Sequence, residues 1–301
     1  LCAMLLMECM IAAGVPEGTV QLVTGEGPVV GDTLVTSPET QGIAFTGSSE
    51  TGKVIAARSI GKAQLLELGG NGPTIVLDDA DLDRAAGCIV RSALANAGQT
   101  CTATERVLVD ARVHDALVER IVDAVGQIRP MASTDPASKL GALNNEENAG
   151  KVDSHLAEAV SLGAKILTGG SRAKNMPTNL YYEPTVIVDV PPDSALHCDE
   201  TFGPVIPILR FGSDEELYAL AAKSPMGLSA ALFTRDVSRA FRHAERIRCG
   251  VVNVNEASSY WETHVPVGGA AGTSSGTGRT GGRHTLLEMS DLKTITFHLE
   301  P

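Results

Sequence analysis

One of the six cysteines stands in a turn that suits a nucleophile. Cys101 ends the segment Asn-Ala-Gly-Gln-Thr-Cys at 96–101, which follows a predicted helix and holds small or polar side chains around a glycine. A nucleophilic thiol needs partial exposure and nearby N–H donors, and such a turn can provide both. A buried structural cysteine is the commoner role of any single cysteine, and it stays open as the alternative here.

The other five cysteines are poorer candidates for a nucleophile. Cys198 precedes Asp199 and Glu200, and acidic neighbours raise the pKa of a thiol. The remaining four lie in apolar, periodic stretches that predict buried structural thiols: Cys2, Cys9, Cys88 and Cys249. Because the sequence has neither a C-x-x-C pair nor a Cys/His cluster, we predict reduced thiols, a cytoplasmic protein and no metal site.

A glutamate inside an apolar strand is the second candidate for chemistry. Glu67 lies in Leu-Leu-Glu-Leu-Gly-Gly at 65–70. A carboxylate in such a strand is costly unless it is paired or functional. Burial raises its pKa, which suits a general base. An outward-facing glutamate on an alternating strand is the alternative.

The segment Gly-Ser-Ser-Glu-Thr-Gly-Lys at 47–53 follows a predicted strand and opens a helix. The free N–H groups of such a helix start suit a phosphate, so we expect a phosphate-binding turn of dinucleotide type. A glycine-capped helix start is one alternative. The other is a nucleotide P-loop that uses Lys53, although Val54 replaces the Mg²⁺-binding hydroxyl. A second glycine motif, at 276–281, formally matches the dinucleotide fingerprint, but it follows a Gly/Ser/Thr-rich loop rather than a strand, and this context favours a loop.

The composition describes the molecule that must position these groups. The 301 residues, 43% hydrophobic and 20% charged, suit about two globular domains. A net charge of −12 and 4% aromatic residues argue against a nucleic-acid partner. The apolar run at 1–13 is too short to span a bilayer and has no basic region before it, so it predicts a helix and no membrane partner. Because the chain begins at Leu1 within this run, we expect a piece of a longer or processed protein.

Helical and strand patterns alternate along the chain, which predicts an α/β fold with a parallel sheet and crossover helices. Strands are predicted at 19–25, 43–46, 63–68, 74–77, 106–109, 164–167, 185–190, 205–209 and 228–233. Helices are predicted at 1–13, 47–59, 82–97, 111–128, 144–162, 215–223 and 237–247. The tail at 293–299 alternates at period two, with Ile295, Phe297 and Leu299 on one face, and predicts a half-buried edge strand.

Taken in order, the motifs resemble the NAD(P)-dependent aldehyde dehydrogenase superfamily over the whole chain. They are Gly-Val-Pro-Glu-Gly at 14–18, Phe-Thr-Gly-Ser at 45–48, Glu-Leu-Gly-Gly at 67–70, Gly-Gln-Thr-Cys at 98–101, Glu-Thr-Phe-Gly-Pro-Val at 200–205, Gly-Leu-Ser-Ala at 227–230, Pro-Val-Gly-Gly at 266–269 and Ser-Gly-Thr-Gly-Arg at 275–279. The interval between Glu67 and Cys101 is the usual one in that family. The resemblance implies a partial Rossmann-like dinucleotide-binding domain at 1–68 and an α/β catalytic domain at 69–270. A return loop, a helix and a C-terminal oligomerisation strand would follow at 271–301.

The resemblance also implies roles for single residues. Cys101 would attack the aldehyde carbon, and Glu67 would activate the water that hydrolyses the resulting thioester. Residues that would bind NAD or NADP are Gly47, Ser48, Leu68, Glu200 and Phe202, with Ser48 at the pyrophosphate, Glu200 at the nicotinamide ribose and Phe202 at the nicotinamide end. Trp261 and His264, in the loop 255–265, would border the substrate. A loop that docks its aromatic side chains on its own body is the alternative.

The activity implied is oxidation of a small-molecule aldehyde to a carboxylic acid, because members that pass the acyl group to CoA typically lack the carboxylate at Glu67. A homodimer or homotetramer is also implied. This chain departs from the family at Asn71, where lysine is frequent, and at Val267, where an aromatic residue is common. It also lacks the N-terminal segment that carries an oxyanion asparagine and a ribose-binding lysine. A catalytically silent fragment, acting only in binding or oligomerisation, is therefore the alternative function.

Overall fold

The smaller of two β-sheets holds three strands in the order β1–β2–β10 in the computed structural model, which describes residues 1–299. The strands are β1 (Gly42–Thr46), β2 (Ala63–Glu67) and β10 (Gly276–Thr277). β1 and β2 run parallel and are joined by helix α3 (Ser49–Arg58), whereas β10 runs antiparallel to β2. Before this sheet lie helix α1 (Cys2–Ala12), a π-helical turn (Gly27–Gly31) and helix α2 (Asp32–Thr36).

The larger sheet holds seven strands in the order β5–β6–β7–β4–β3–β8–β9. They are β3 (Pro73–Val76), β4 (Arg106–Asp110), β5 (Lys165–Thr168), β6 (Thr185–Val188), β7 (Val205–Phe211), β8 (Ser229–Phe233) and β9 (Val251–Val254). Every neighbouring pair is parallel except β5 with β6 at one edge. The central strands are buried on both faces, which explains their nearly continuous apolar sequences.

Helices cover both faces of the larger sheet. They are α4 (Leu82–Leu94), α5 (His114–Val125), α6 (Glu146–Ser161), α7 (Ala195–Cys198), α8 (Asp214–Ala221) and α9 (Val237–Arg246), with α10 (Gly282–Glu288) near the smaller sheet. Successive strand side chains point to opposite faces. Val107 therefore packs with α4 and α5, whereas Leu108 packs with α6, α8 and α9. The core is thus two apolar layers separated by one sheet.

The α/β fold class is confirmed, but two predicted strands are wrong for this chain. Residues 19–25 and 293–299 form no strand, because a strand exists only by pairing and neither segment has a neighbouring strand in the described part of the chain. Ile295, Phe297 and Leu299 are exposed instead of half-buried. Pairing of 293–299 with a partner subunit stays a prediction, as do the domain boundaries, and residues 300–301 lie outside the described residues.

The predicted burial of the structural cysteines is correct for Cys88 and wrong for Cys2 and Cys9. Both of the latter are exposed, because helix α1 buries none of its residues against the core. Cys198 and Cys249 are half-buried. All helices within residues 1–299 are too short or too polar to cross a membrane.

Arg106 ties the larger sheet to its helices. Its guanidinium is 1% exposed and donates to three backbone carbonyls, those of Asn71, Leu220 and Ala221, at 2.9–3.1 Å. Two of these carbonyls end helix α8, where a cation also complements the helix dipole. Burial lowers the pKa of Arg106 to about 10, which leaves the side chain charged at neutral pH.

We expect Arg106→Met to lower the free energy of unfolding by about 2–4 kcal/mol, because the carbonyls of Asn71 and Ala221 lose the guanidinium donor in the protein interior. Urea denaturation measures the change. The matched control is Arg210→Met on β7, whose exposed side chain pairs with Asp189 and whose loss should cost about 0.5 kcal/mol or less. Equal effects of the two substitutions would contradict a structural role for the Arg106 bonds.

Candidate active site

Cys101 follows a tight left-handed turn. After α4 the chain enters a 3₁₀ turn (Ala95–Gly98), in which Asn96, Ala97 and Gly98 have φ of 51°, 56° and 75°. A Cβ on Gly98 would stand 2.1 Å from the carbonyl oxygen of Gly203, so this position requires glycine. The turn thereby packs against the segment that follows Glu200, and Cys101, three residues further on, is half-buried.

The connection after β2 approaches the cysteine from the other side. A Cβ on Gly70 would stand 1.9 Å from the carbonyl oxygen of Cys101, so only glycine lets the two backbones come this close. The N–H of Gly70 donates to the Glu200 carboxylate at 2.8 Å. The segments that carry Glu67, Cys101 and Glu200 therefore meet at one place, which we call the thiol site, defined by Glu67, Gly70, Cys101 and Glu200.

Glu67 is the last residue of β2 and faces the interior. Its side chain is 9% exposed, and within residues 1–299 its Oε1 has no hydrogen-bond partner. Burial raises the pKa of Glu67 to about 7, although the N–H of Thr280 and the charge of Arg279 act in the opposite direction. A carboxyl group with this pKa can exchange a proton with water near neutral pH.

The charges of the thiol site act on the sulfur of Cys101. Burial raises the pKa of this thiol, and the negative charges of Glu200 and Glu67 raise it further. The backbone N–H groups of Cys101 and Thr102 lower it. The charges of both carboxylates therefore disfavour the thiolate form of Cys101. The two N–H groups favour it and can donate hydrogen bonds to a negative charge beside the sulfur.

Glu200 belongs to the thiol site, and Phe202 follows it two residues later in the chain. Burial raises the pKa of Glu200, while the N–H of Gly70 and the charge of Lys151 lower it. Phe202 has φ of 57°, and the Lys151 ammonium lies 5.8 Å from its ring centroid. Phe202 lines an opening together with Gln99, Asn148 and Lys151.

The predicted phosphate turn leads into the ten-residue helix α3. Ser48 caps this helix by accepting a hydrogen bond from the N–H of Thr51 at 3.2 Å, and the other first-turn N–H groups have no partner within the helix. The N–H of Gly47 donates to the carbonyl of Glu67 at 3.1 Å, which joins this turn to the strand that ends in the thiol site. Lys53 is exposed and bonds to Glu50.

A cavity of about 970 Å³ opens beside the start of α3. Its walls come from α2, β1 and α3 and include Val35, Phe45, Thr51 and Ile55. This volume and the apolar lining suit a nucleoside, and the helix N-terminus suits a phosphate attached to it. Leu68 lies between α3 and the thiol site, where its side chain fills the space beside Gly52. The residues present thus fit the dinucleotide that the motifs imply.

The predicted substrate residues are not brought into contact with the thiol site. The indole N–H of Trp261 donates to the carbonyl of Val265 at 2.8 Å, and His264 lies 3.4 Å from the carboxylate of Glu262. Both side chains are exposed and bond within their own loop. This geometry favours the alternative, a loop that docks on its own body, and the substrate role stays a prediction.

Two charged residues near the thiol site were missed from the sequence. Lys151 lies on α6 at helical spacing from Asn148 and His155. The sequence spacing of these three residues already indicates one polar face of the helix. Glu105 stands immediately before the apolar strand β4, where a glutamate looks like an exposed strand end, yet its side chain is 4% exposed. Burial and the charge of Glu200 raise the pKa of Glu105 to about 8.

The α/β fold carries a half-buried cysteine and a buried glutamate in one site, and a cavity large enough for a nucleoside opens beside the start of α3. This combination is typical of a protein that binds a nucleotide cofactor. The aldehyde dehydrogenase family model matches residues 1–295, and the chain belongs to this family. The chain is 37% identical over 300 residues to the succinate-semialdehyde dehydrogenase [NADP(+)] GabD of Escherichia coli (strain K12), covering 99% of this chain and 61% of that protein.

Two further comparisons agree. The mitochondrial succinate-semialdehyde dehydrogenase of Arabidopsis thaliana is 39% identical over 297 residues, covering 98% of this chain and 55% of that protein. The crystal structure of an NAD-dependent aldehyde dehydrogenase from Sinorhizobium meliloti superimposes with a TM-score of 0.91 at 38% identity, covering 97% of this chain and 57% of that one. The chain thus spans 55–61% of the length of the two curated relatives.

Proposed function

We propose that the protein carrying this chain oxidises a small aldehyde to a carboxylic acid with NAD⁺ or NADP⁺, using Cys101 as the nucleophile and Glu67 as the general base. The observation that carries the proposal is the thiol site, where the charge of a buried glutamate acts on a half-buried thiol. Membership of the aldehyde dehydrogenase family supports the same reaction.

The first step is attack by Cys101 on the aldehyde carbon, after the thiol has lost its proton to solvent water and become the thiolate. The new C–S bond gives a thiohemiacetal, and the carbonyl oxygen gains the negative charge. The N–H groups of Cys101 and Thr102, which lower the pKa of the thiol, are positioned to donate to such a charge. When bound, the nicotinamide would supply the acceptor for the hydride that leaves this carbon.

The second step is hydrolysis of the resulting thioester. Glu67 accepts a proton from a water molecule, the water oxygen attacks the acyl carbon, and the C–S bond breaks to release the acid and the Cys101 thiolate. The pKa of about 7 lets Glu67 be ionised in a useful fraction of molecules and still return its proton to solvent. Glu67 Oε1, which is buried and has no hydrogen-bond partner within residues 1–299, would accept the hydrogen bond of that water.

We propose an orientation for the bound cofactor, with its pyrophosphate at the start of α3 and its nicotinamide end at the thiol site. The start of α3, directly after Gly47 and Ser48, would bind the pyrophosphate, since its first N–H groups, those of Ser49 and Glu50, have no partner within the helix. Leu68 would separate the pyrophosphate from the thiol site. Glu200 would accept hydrogen bonds from the nicotinamide ribose hydroxyls, and Phe202 would pack against the nicotinamide end.

For the substrate, the relatives named above suggest a semialdehyde such as succinate semialdehyde. A homodimer or homotetramer is proposed as well, because Ile295, Phe297 and Leu299 form an exposed apolar row that suits pairing with another copy. A cytoplasmic location, and the absence of nucleic-acid and membrane partners, stay predictions from the sequence.

The test is NAD(P)H formation by the purified 301-residue chain with succinate semialdehyde and either cofactor. We expect absorbance to rise only when aldehyde and cofactor are both present. A folded chain that forms no NAD(P)H with any of a panel of aldehydes would support the alternative function, a silent fragment that only binds or oligomerises. Mg²⁺-dependent ATP hydrolysis that is lost in Lys53→Ala would instead support the P-loop alternative.

A further inference from the structure

A buried carboxylate that the mechanism does not use, Glu105, holds two backbone N–H groups of the loop beside it. Its Oε2 accepts from Thr201 and its Oε1 from Phe202, each at 3.0 Å. The charge of Lys151 lowers the pKa of Glu105, but the backbone N–H groups of Thr201 and Phe202 lower it more. A buried carboxylate is costly without hydrogen bonds, so these two N–H groups are what makes the position of Glu105 tolerable.

The loop that receives these bonds has a strained backbone. Phe202 adopts φ of 57°, in the left-handed region that residues with a Cβ rarely populate. Such a conformation is strained and persists only where its surroundings enforce it. Glu105 therefore bonds to the part of the loop whose conformation most needs support.

Helix α6 holds the same loop from the opposite side. The Asn148 amide donates to the carbonyl of Phe202 at 2.8 Å, and His155 Nδ1 lies 3.1 Å from the hydroxyl of Thr201. Both peptide groups that flank Phe202 are thus bonded, one to β4 through Glu105 and one to α6 through Asn148. We call Glu105, Asn148 and His155 the loop clamp.

We propose that Glu105 is a positioning residue whose two hydrogen bonds fix the loop 200–203, so that Glu200 and Phe202 face the cofactor. This inference rests on the proposed function, because Glu200 and Phe202 are cofactor-binding only under that proposal. Glu200 immediately precedes the bonded N–H of Thr201, and its carboxylate also bonds to Gly70 beside Cys101. A shift of the Thr201 peptide would therefore displace the ribose-binding carboxylate.

The chemistry of the side chain makes the proposal specific. Two N–H donors need two acceptor atoms, which an ionised carboxylate supplies. Glu105→Gln keeps the shape but replaces one acceptor oxygen by an NH₂ group, which would face an N–H donor. Glu105→Leu removes both acceptors at similar volume. Assays belong at a pH above the raised pKa of Glu105, where the native side chain is ionised.

The first readout needs no cofactor: amide hydrogen exchange of the peptide covering 199–204, measured by mass spectrometry. We expect exchange about tenfold faster in Glu105→Gln and faster still in Glu105→Leu, since each lost bond frees an amide. The matched control is Asp110→Asn at the other end of β4, a 5% exposed carboxylate that bonds to Arg112. Unchanged exchange at 199–204 in both Glu105 variants would overturn the proposal.

The second readout separates positioning from stability. We expect Glu105→Gln to raise the KM for NAD(P)⁺ about tenfold while the KM for the aldehyde stays constant. A purely structural role would lower the active fraction, and so kcat, with both KM values unchanged, and this result would also overturn the proposal. If Glu105→Leu fails to fold, Asn148→Ala removes the clamp from the α6 side and should raise the same KM.

The two proposals fail differently. If the wild-type chain shows no turnover but exchange at 199–204 is fast in Glu105→Gln, the proposed function is refuted and the loop clamp is retained as a property of the loop. If the wild-type chain turns over but Glu105→Gln leaves both the exchange at 199–204 and the KM for NAD(P)⁺ unchanged, the proposed function is retained and the loop clamp is refuted.

Discussion

Replacing Cys101 by alanine is expected to lower aldehyde-dependent NAD(P)H formation by about a thousandfold or more, because no other group in the thiol site can form the C–S bond. The measurement is the steady-state rate with cofactor and aldehyde both saturating. The matched control is Cys88→Ala, which removes a buried thiol from α4. Cys101→Ser retains the size of the side chain and should be nearly as inactive, since the hydroxyl is a poor nucleophile at neutral pH.

The outcome distinguishes a nucleophile from a structural thiol. A structural cysteine would lower the urea midpoint in Cys101→Ala and leave the rate per folded molecule intact. We expect the reverse, because Cys101 is only half-buried. Retained activity in a folded Cys101→Ala variant would remove the proposed mechanism.

Replacing Glu67 by glutamine is expected to slow hydrolysis of the thioester by roughly 10²–10⁴-fold, the usual contribution of a general base. Formation of the thioester does not need Glu67, so a rapid burst of NAD(P)H should precede the slow steady state. Rapid mixing measures both phases. The control is Glu256→Gln, whose native carboxylate has a lowered pKa and bonds to Arg91 at the surface. If Glu67→Gln lowered the burst amplitude and the steady-state rate by the same factor, this role of Glu67 would be contradicted.

The pH profile carries a second signature of Glu67. General-base catalysis requires the carboxylate, so the wild-type rate should rise as pH increases through about 7, and Glu67→Gln should lose this limb. The stability effect has the opposite sign. Because burial raises the pKa from 4.5 to about 7, the folded chain binds the proton more tightly than the unfolded chain. Its contribution to stability is full below pH 4.5 and is lost as pH rises through 7.

Much of the fold follows from local sequence. Asp81 and Asn145 stand where helix caps are expected, and both side chains accept a hydrogen bond from the first turn of the helix that follows. The apolar β-branched runs before and after Cys101 became the central strands β3 and β4, since a strand buried on both faces needs apolar residues throughout. These features are set by neighbours in sequence and can be predicted from them.

The features that depend on distant partners were not predictable from local patterns. β10 is only two residues long and contains glycine, and it forms because Gly276 and Thr277 lie beside the free edge of β2. β9 (Val251–Val254) was not predicted, because its run of strand-forming residues is only four residues long and directly follows a glycine. The segments at 19–25 and 293–299 have strand-like sequences but no neighbouring strand among residues 1–299.

The candidate site divides in the same way. Cys101 and Glu67 were identified because a polar group in an unusual local setting is visible in the sequence. Glu105 escaped notice, because its importance arises from the Thr201 and Phe202 N–H groups, almost a hundred residues away along the chain. A partner contributed by tertiary packing leaves no mark in the local pattern.

The most direct test is to locate the covalent intermediate. The Glu67→Gln variant, mixed with NAD(P)⁺ and an aldehyde and quenched in acid during the slow phase, should carry the acyl group as a thioester. Peptide mapping by mass spectrometry should find this mass on the peptide that contains Cys101 and on no other cysteine peptide. An acyl group on another residue, or product formation without any acylated peptide, would contradict the convergence of thiol and carboxylate in one reacting site.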